Sequence, residues 1–350
     1  MVNYVSRKFS KLLFIVVIVI ILRKYFDIKI KYLFILRVEK LKVLVFGSGG
    51  LVGTSLSKIL SKSKKVSNLV LSTRNDTDLL DFSETKNKIL DLKPDLLINA
   101  AAKVGGIVAN NSYRTSFILE NMKINMNILE SSIPLTNTRI INLGSSCIYP
   151  LNAENPIKES TIMTGKLEPT NSPYSMAKLS AIEIGRAINY EYGNKIINLM
   201  PTNLYGPNDN FSKENSHVIP GLISRMHSDM ENKIDNFLIW GSGKPLREFL
   251  YVDDLSMAIE FLIDKDIDTD LLNIGSGEEI SILDLAIKVK ETIGYKGSIE
   301  FDASKPDGNP RKLIDSKIIK DYGWKPITNL DSGLKTTYEW YLKNFDKIRN

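Results

Sequence analysis

The sequence predicts an α/β protein in which a doubly wound parallel sheet is followed by a smaller α/β lobe on the C-terminal side. Two observations carry this prediction. Short runs of apolar and β-branched residues recur between positions 42 and 200, and helical patterns of apolar residues lie between the later runs. The first run ends at a glycine-rich turn, as buried parallel strands that lead into a helix often do. A chain of 350 residues is long enough for both parts.

The predicted elements follow one another in a regular order. Five apolar runs predict strands at Lys42–Phe46, Ser67–Ser72, Asp95–Asn99, Arg139–Leu143 and Lys195–Met200. Apolar residues at helical spacing predict helices at Leu51–Lys64, Thr115–Ser132 and Tyr174–Tyr192. The pattern loosens after Pro201, so we divide the chain into an extension (1–40), a sheet domain (mainly 41–205) and a second lobe (mainly 206–350). Some strands of the second lobe are expected to return to the main sheet.

The surplus positive charge lies at the N-terminus. The chain has 46 basic and 40 acidic residues, a net charge of +6, but residues 1–40 alone hold nine basic and two acidic side chains. The rest of the chain is nearly neutral, with 37 basic and 38 acidic residues. Because proteins bind nucleic acids through clustered Lys and Arg, this neutral body disfavours a nucleic-acid partner.

The longest unbroken apolar run of the first forty residues is Leu12–Leu22, with basic residues on both sides, and a shorter run follows at Tyr32–Leu36. As a helix the longer run would be roughly 16 Å long, about half of a hydrocarbon core. No alanine occurs before Ala100, so a signal-peptide cleavage site is disfavoured. Two interpretations remain open: a basic and apolar anchor that contacts a membrane surface, or a passive extension.

Cysteine and histidine are scarce. Cys147 is the only cysteine, so no intrachain disulfide can form, and a reducing compartment such as the cytoplasm is expected. With one cysteine and two histidines the chain lacks the ligands of a Cys/His zinc site, and we expect no metal.

A glycine motif predicts a Rossmann-type dinucleotide site. Gly47, Gly50 and Gly53 directly follow the first predicted strand and open the first predicted helix. Glycines at this place let a pyrophosphate approach the backbone at a helix N-terminus, where N–H groups favour an anion. The alternative is a turn with a purely structural role.

The end of the second predicted strand favours NADP over NAD. Where NAD-binding folds place an acidic residue, this chain has Ser72, Thr73 and Arg74, whose hydroxyls and guanidinium suit a 2′-phosphate. Arg74 can also be an ordinary surface arginine. Asp81, further along, can contact the adenine amine or cap a helix.

Tyr174 and Lys178 are candidate catalytic residues. They lie four residues apart at the start of a predicted helix and therefore on one face of it. The ammonium is expected to lower the pKa of the phenol and to bond a nicotinamide ribose. Ser145 follows the fourth predicted strand, where a hydroxyl can bond a substrate carbonyl. This Ser, Tyr and Lys set behind a dinucleotide turn is the signature of the short-chain dehydrogenase/reductase superfamily.

Cys147 and His217 suggest a second activity. A thiol can remove a proton beside a keto group, and an imidazole on the opposite face can return one. The alternatives are a small buried cysteine and a histidine that bonds the start of a helix.

Longer motifs resemble those of GDP-L-fucose synthases, which combine 3,5-epimerase and 4-reductase activities within that superfamily. The resemblance covers about Lys42 to the C-terminus and rests on five segments: Asn99–Asn111, Leu143–Pro150, Met200–Pro207, Asn215–Pro220 and Ala303–Gly308. Residues 1–40 fall outside it.

The resemblance implies roles for individual residues. It makes Ser145, Tyr174 and Lys178 the reductase set, and Cys147 and His217 the base and acid of the epimerase. It places Leu143, Gly144, Ser146, Pro201, Thr202, Asn203 and Leu204 beside the nicotinamide of NADPH. The GDP-sugar would be contacted by His217, Arg225, Trp240, Arg247 and Asp307. Trp240 as core filler and Arg225 as a helix-face charge remain structural alternatives.

The implied substrate is GDP-4-dehydro-6-deoxy-D-mannose, the implied product is GDP-L-fucose, and the implied assembly is a homodimer. Two other functions remain open at this stage. One is a different nucleotide-sugar epimerase or reductase, such as an enzyme that acts on a UDP-sugar with bound NAD. The other is a non-catalytic NADP-binding scaffold tethered to a membrane.

Overall fold

A computed structural model describes residues 40–212, 215–302 and 308–349. The predicted extension lies outside these residues except for Lys40, and so does the predicted substrate residue Asp307. In chain order the strands and α-helices are β1 (Leu41–Phe46), α1 (Leu51–Leu60), β2 (Val66–Ser72), α2 (Phe82–Leu92), β3 (Leu96–Asn99), α3 (Ile107–Ser112), α4 (Arg114–Ser132), β4 (Arg139–Leu143), α5 (Ser172–Tyr192), β5 (Lys195–Pro201), β6 (Asn203–Tyr205), α6 (Val218–Glu231), β7 (Asn236–Trp240), β8 (Leu246–Tyr251), α7 (Val252–Leu262), β9 (Leu271–Ile274), β10 (Glu279–Ser281), α8 (Ile282–Ile293), β11 (Ser298–Asp302), β12 (Arg311–Lys312), α9 (Lys317–Asp321), α10 (Leu330–Lys343) and α11 (Phe345–Arg349).

Six parallel strands form the main sheet in the order β2-β1-β3-β4-β5-β9. The chain begins at β1 in the interior and builds outward in both directions. This is the doubly wound arrangement that the sequence predicts. All five predicted strands are present, and β9 joins from the C-terminal half of the chain.

The interior strands β1, β3, β4 and β5 of the main sheet are buried on both faces, which explains why they are largely apolar, whereas the edge strand β2 is partly exposed. In β1, Val43 and Val45 pack into one cluster with helices α1 and α7, whereas Leu44 and Phe46 pack into another with α2, α4 and α5. Alternation along a single strand therefore supplies two cores.

The second region packs around a separate apolar cluster. Strands β6, β10 and β12 pair with β8, and β7 pairs with β11. Residues of α6, α8 and α10 form the cluster with these strands. Leu41–Asn350 nevertheless make one compact unit, and β9 and α7 belong to the main sheet layer. The division of this body near residue 205 stays a prediction.

One predicted boundary was wrong. Helix α1 ends at Leu60 rather than Lys64, because Ser61 to Lys64 offer no apolar residue to the core and the chain turns through Ser63. The helices predicted at 115–132 and 174–192 are confirmed within two residues. Along the parts of the chain that the structure describes, no helix is both long and apolar enough to cross a membrane.

Candidate active site

The glycine turn lies at the carboxyl end of β1, and each glycine has a distinct environment. Gly47 has a φ of +76°, and a Cβ there would lie 2.6 Å from the backbone nitrogen of Ala101. A Cβ on Gly53 would lie 2.2 Å from the carbonyl oxygen of Gly47. Gly50 precedes α1 and has only ordinary contacts. Two glycines thus permit the tight turn, and the third leaves the helix N-terminus open to a ligand.

A cavity of about 270 Å³ lies beside this turn. Arg74 is one of its lining residues and is exposed, so its guanidinium is accessible to a phosphate. The cavity is also lined by residues that the sequence did not single out as cofactor contacts: Thr77, Asp78, Leu79, Leu80, Ala100, Ala101 and Ala102. The run of small alanines after β3 was the available signal, since small side chains leave room at a strand end.

Asp81 forms a helix cap. Its Oδ1 accepts a hydrogen bond from the backbone nitrogen of Glu84 at 2.8 Å, at the start of α2. Asp81 therefore has the structural role of a helix cap, and a contact between Asp81 and adenine stays a prediction. Asp76 is tied to Thr73 in a similar way, and the hydrogen bonds from Thr73 lower the pKa of its carboxyl group.

The segment after β4 carries the predicted hydroxyl and thiol. Gly144 packs closely against Met200, because a Cβ would lie 2.0 Å from the Cε of that side chain. Ser145 accepts a hydrogen bond from the backbone nitrogen of Cys147 at 3.3 Å and so starts a short 3₁₀ turn, Ser146–Ile148. Two residues later the buried hydroxyl of Tyr149 donates to Asn273 at 2.6 Å, which fixes the far end of the segment.

Lys178 lies in the first half of α5, with only 2% of its surface exposed. Its Nζ donates to the carbonyl oxygen of Leu143 at 2.7 Å and lies 5.9 Å from the centre of the Tyr174 ring. Burial without a carboxylate partner lowers the pKa of Lys178 to about 8. The lysine therefore joins the helix to the end of β4.

The hydroxyl of Ser145 lies close enough to the Tyr174 phenol to act on its pKa, which brings the predicted reductase set together. The expectation that Lys178 lowers the pKa of the phenol was wrong for the protein without ligands. Burial raises that pKa well above its usual value, the nearby Cys147 adds to the effect, and the hydrogen bond from Ser145 only partly opposes it. Desolvation of the buried phenol is the main cause of the raised pKa, and the phenol stays protonated.

Cys147 is partly buried rather than enclosed in the core. His217 is the residue that precedes helix α6, and its side chain makes no capping hydrogen bond. With 43% of the side chain exposed, the ring is accessible to solvent. Both observations leave these side chains free for the chemistry that the sequence suggests.

A loop connects His217 to the tyrosine. The backbone nitrogen of Gly106 donates to the carbonyl oxygen of Asn215 at 3.1 Å, two residues before the histidine. A Cβ on the adjacent Gly105 would lie 3.2 Å from the ring of Phe117, which in turn packs edge-on against Tyr174 at 6.3 Å between ring centres. Sequence reasoning assigned no role to Phe117, and only the motif Asn99–Asn111 pointed to this loop.

Arg225 and Trp240 lie together in the second region. The guanidinium carbon of Arg225 is 5.7 Å from the centre of the Trp240 ring and 4.9 Å from that of Phe237, and burial lowers its pKa. Trp240 is 53% exposed and is therefore not core filler. Arg247 lies in β8, and its Nη1 donates to the carbonyl oxygen of Leu246.

The segment from Pro201 to Leu204 continues from β5 into β6 at the same edge of the main sheet. Thr202 is buried, and its hydroxyl donates to the carbonyl oxygen of Glu248 at 3.1 Å. Asn203 donates to the same oxygen at 2.8 Å. In the described residues no cluster of His, Cys, Asp and Glu is arranged to hold a metal ion.

The fold and this site define a pyridine-nucleotide-dependent oxidoreductase of the short-chain dehydrogenase/reductase type. A glycine turn, a cavity beside it and a Ser, Tyr and Lys set all lie at the carboxyl edge of one parallel sheet, where such folds bind their ligands.

Comparisons with known proteins agree. Residues 43–275 match the model of the NAD dependent epimerase/dehydratase family. The chain is 46% identical to GDP-L-fucose synthase 1 of Arabidopsis thaliana over 87% of this chain and 94% of that protein. It is 41% identical to the GDP-L-fucose synthase of Escherichia coli (strain K12), over 89% and 99%. A GDP-L-fucose synthetase from Naegleria fowleri, solved bound to NADP, has a TM-score of 0.81 at 29% identity, covering 89% of this chain and 97% of its own. The chain therefore belongs to the NAD dependent epimerase/dehydratase family, in its GDP-L-fucose synthase branch.

Proposed function

We propose that the protein converts GDP-4-dehydro-6-deoxy-D-mannose to GDP-L-fucose, by epimerisation at C3 and C5 followed by NADPH-dependent reduction at C4. One observation carries the proposal beyond the membership of the family. Cys147 lies two residues after Ser145 on one short turn and close enough to Tyr174 to influence the phenol. An acid–base group for epimerisation thus adjoins the reductase set.

The residues of the glycine turn fit an NADP cofactor. Gly47 and Gly53 keep the turn tight, Gly50 leaves the N-terminus of α1 accessible to a pyrophosphate, and Arg74 supplies a cation for a 2′-phosphate. When bound, NADPH supplies the hydride that reduces C4. We further assign the nicotinamide side to the segment after β4 and to the stretch from Pro201 to Leu204.

Both reactions depend on the same carbonyl. Ser145 and Tyr174 donate hydrogen bonds to the C4 oxygen of the keto sugar, which polarises the carbonyl and acidifies the protons on C3 and C5. Since Ser145 lies near Tyr174, a carbonyl oxygen placed between the two side chains can contact both groups.

Epimerisation needs a proton acceptor on one face of the sugar and a donor on the other. Cys147 takes the proton from the carbon beside the carbonyl, and the electron pair moves into an enolate held by Ser145 and Tyr174. His217 then gives a proton to the opposite face, which inverts that carbon. Solvent returns a proton to His217 and removes one from Cys147, and the second carbon is inverted in the same way.

Reduction uses Tyr174 as the proton donor. The C4 oxygen gains negative charge as hydride arrives, and the phenol proton passes to it. A raised phenol pKa suits this direction, because the proton is present until an alkoxide, a stronger base, forms beside it. The hydrogen bond from Lys178 to the carbonyl oxygen of Leu143 fixes the end of β4 relative to α5, the helix that carries the phenol.

The GDP-sugar is assigned to the second region. Arg225 and Arg247 can pair with the diphosphate, Trp240 offers an exposed ring for packing, and Asp307 extends the set. Residues 41–205 would then mainly bind NADP and residues 206–350 mainly the nucleotide sugar.

We also propose a homodimer. Helices α4 and α5 pack side by side and expose apolar residues to solvent: Leu119, Met126, Met176 and Tyr190. A second copy of the chain is the partner that would cover them. Sedimentation of the wild type and of a Leu119→Asp, Met126→Asp variant tests this, and a monomeric wild type would contradict it.

The cytoplasm is the expected compartment, because Cys147 is the only cysteine. Membrane contact through residues 1–40 stays a prediction. Partition of the full chain into anionic vesicles, compared with a chain that starts at Leu41, tests it. Equal partition of both chains would end the anchor hypothesis.

The decisive experiment is incubation with GDP-4-dehydro-6-deoxy-D-mannose and either NADPH or NADH, with identification of the sugar product by NMR. We expect GDP-L-fucose, formed faster with NADPH. A UDP-linked keto sugar serves as the matched control for the nucleotide. Turnover of the UDP-sugar alone would favour the other nucleotide-sugar epimerase or reductase. No NADPH oxidation with either sugar would favour a non-catalytic scaffold.

A further inference from the structure

Asp209 is a buried carboxylate that the mechanism above does not use. It lies in the loop between β6 and α6, with 4% of its side chain exposed. Its Oδ1 accepts a hydrogen bond from the backbone nitrogen of Asn210 at 2.7 Å, whereas its buried Oδ2 has no hydrogen-bond partner among the residues that the structure describes. Leaving a carboxylate oxygen buried and unpaired costs free energy, so its position calls for a partner.

A histidine, His217, lies nearby. Its Nδ1 lies 3.9 Å from Oδ1 of Asp209. This distance is longer than a hydrogen bond, but catalytic hydrogen bonds in ligand-free proteins are often long and tighten when the substrate binds. The imidazole is 43% exposed, so one edge of the ring faces a buried carboxylate while the side chain remains open to solvent.

The place of His217 in the fold creates a need for an anion. The residue precedes α6, a helix of 14 residues, and therefore lies at the positive end of its dipole. A helix N-terminus disfavours the protonated imidazole, yet a group that gives a proton to an enolate must first be protonated. A carboxylate beside the ring offsets the dipole.

Both residues are held by their surroundings. The backbone nitrogen of Asp209 donates to the carbonyl oxygen of Gly206 at 3.3 Å. Close by in the same loop, buried Phe211 stacks on Trp340 at 5.8 Å between ring centres. On the other side, the carbonyl oxygen of His217 accepts the first helical hydrogen bond, from Gly221 at 2.9 Å. The facing geometry is thus built by two separately anchored backbone segments.

We propose that Asp209 is a positioning residue for His217. Its carboxylate accepts the Nδ1 proton, so that Nε2 carries the proton that is delivered to the sugar, and it stabilises the imidazolium at the start of α6. After delivery the ring is neutral with its proton on Nδ1, and solvent reprotonates Nε2. The proposal rests on the proposed epimerase function of His217.

The test separates proton removal from proton delivery. Wild type and variants are incubated with the keto sugar in D₂O, with NADP⁺ in place of NADPH, and NMR follows deuterium entry at C3 and C5 and the inversion of each carbon. In Asp209→Asn we expect inversion to fall by about tenfold or more, as when an imidazole loses its orienting carboxylate. Exchange by Cys147 on its own face should persist within about threefold, since the change leaves that group intact. Asp209→Glu should recover part of the inversion.

A matched control is Asp254→Asn. Asp254 is also a buried carboxylate, but it accepts hydrogen bonds from the backbone nitrogens of Ile327 and Thr328. This change should lower the melting temperature and leave the ratio of inversion to exchange unchanged. An equal loss of exchange and inversion in Asp209→Asn would show a merely structural role and overturn the proposal.

A second measurement does not depend on activity. The chain has two histidines, His217 and His227, so ¹⁵N labelling of histidine gives the nitrogen signals of two imidazole rings. In the neutral ring of His217 we expect the proton on Nδ1 in the wild type and a mixture of tautomers in Asp209→Asn, with His227 unchanged. An unaltered His217 tautomer would overturn the pairing. If the wild type did not turn over the GDP-sugar, the proposed function would fail while this pairing remained open to the same test.

Discussion

The two halves of the proposed acid–base machinery, Tyr174 with Lys178 and His217, are held in place in different ways. Tyr174 and Lys178 lie on a 21-residue helix packed against the main sheet, and Lys178 is almost completely buried. His217 lies where an irregular loop meets α6, with almost half of its side chain exposed. One half is fixed by the core of the protein and the other by a few backbone hydrogen bonds.

This difference in burial matches the proton transfers proposed for each half. In the proposed mechanism Tyr174 gives up one proton per turnover, and burial keeps that proton in place until an alkoxide forms. His217 would deliver a proton twice in each cycle, so an open position that exchanges with solvent suits the proposed role. The comparison predicts that changes in the two halves affect different steps, and four experiments probe this in order of expected effect.

The largest effect is expected from Tyr174→Phe, which removes the proton donor of the buried half. Reduction of the keto sugar should fall by about 1,000-fold, within the range for loss of a general acid. Deuterium exchange at C3 and C5 should remain measurable, because Cys147 and His217 are intact. NADPH oxidation and NMR of the sugar in D₂O provide the two readouts. Loss of both activities together would remove the distinction between the halves.

Cys147→Ser should have the next largest effect and the opposite pattern. We expect epimerisation to fall by about 100-fold, since a serine hydroxyl ionises far less readily than a thiol and so provides almost none of the anionic form that accepts the proton. NADPH binding should be unchanged, which titration of cofactor fluorescence can verify. Full epimerisation by the serine variant would rule out Cys147 as the base.

The variant Lys178→Met tests whether the ammonium of Lys178 is desolvated, through the pH dependence of the free energy of unfolding. The unfolded lysine has a pKa near 10.5 and the folded one about 8, so between these values the unfolded chain binds more protons. Stability of the wild type should therefore rise with pH relative to the variant, by about 2 kcal/mol between pH 7 and 9.5. Urea unfolding of both ligand-free proteins at the two pH values measures it. A constant difference would mean that Lys178 is not desolvated as described.

The smallest effect is expected at the cofactor end, where Arg74 is exposed and forms part of the cavity wall. Arg74→Ala should raise KM for NADPH by about tenfold, because one charge-assisted hydrogen bond to a 2′-phosphate is lost. KM for NADH should change little. Lys62→Ala, which removes an exposed cation outside this cavity, is the matched control. Equal changes in KM for NADPH and NADH would show that Arg74 does not bind the 2′-phosphate.

Local patterns predicted the main sheet and much of the site. Strands β1, β3, β4 and β5 are largely apolar because both faces are buried, and a run of apolar residues is visible in any sequence. The glycine turn and the four-residue spacing of Tyr174 and Lys178 are equally local. These features need no knowledge of distant contacts.

Other features depend on contacts between distant parts of the chain. Gly105 and Phe117 connect the loop after β3 to Tyr174, but neither residue type suggests such a role by itself. Asp209 reads as an ordinary loop aspartate until its burial and its distance from His217 are known. Burial also decided the direction of the Tyr174 pKa, which the spacing to Lys178 predicted with the wrong sign.

The sequence by itself determined the fold class and the cofactor turn and predicted the reactive groups, because periodicity and residue chemistry are local properties of the chain. The tertiary structure decided which of these groups are desolvated, which carbonyl receives the Lys178 ammonium and which carboxylate faces His217. Those properties arise only when segments far apart in sequence exclude water from one another, and desolvation sets the strength of every charge they enclose.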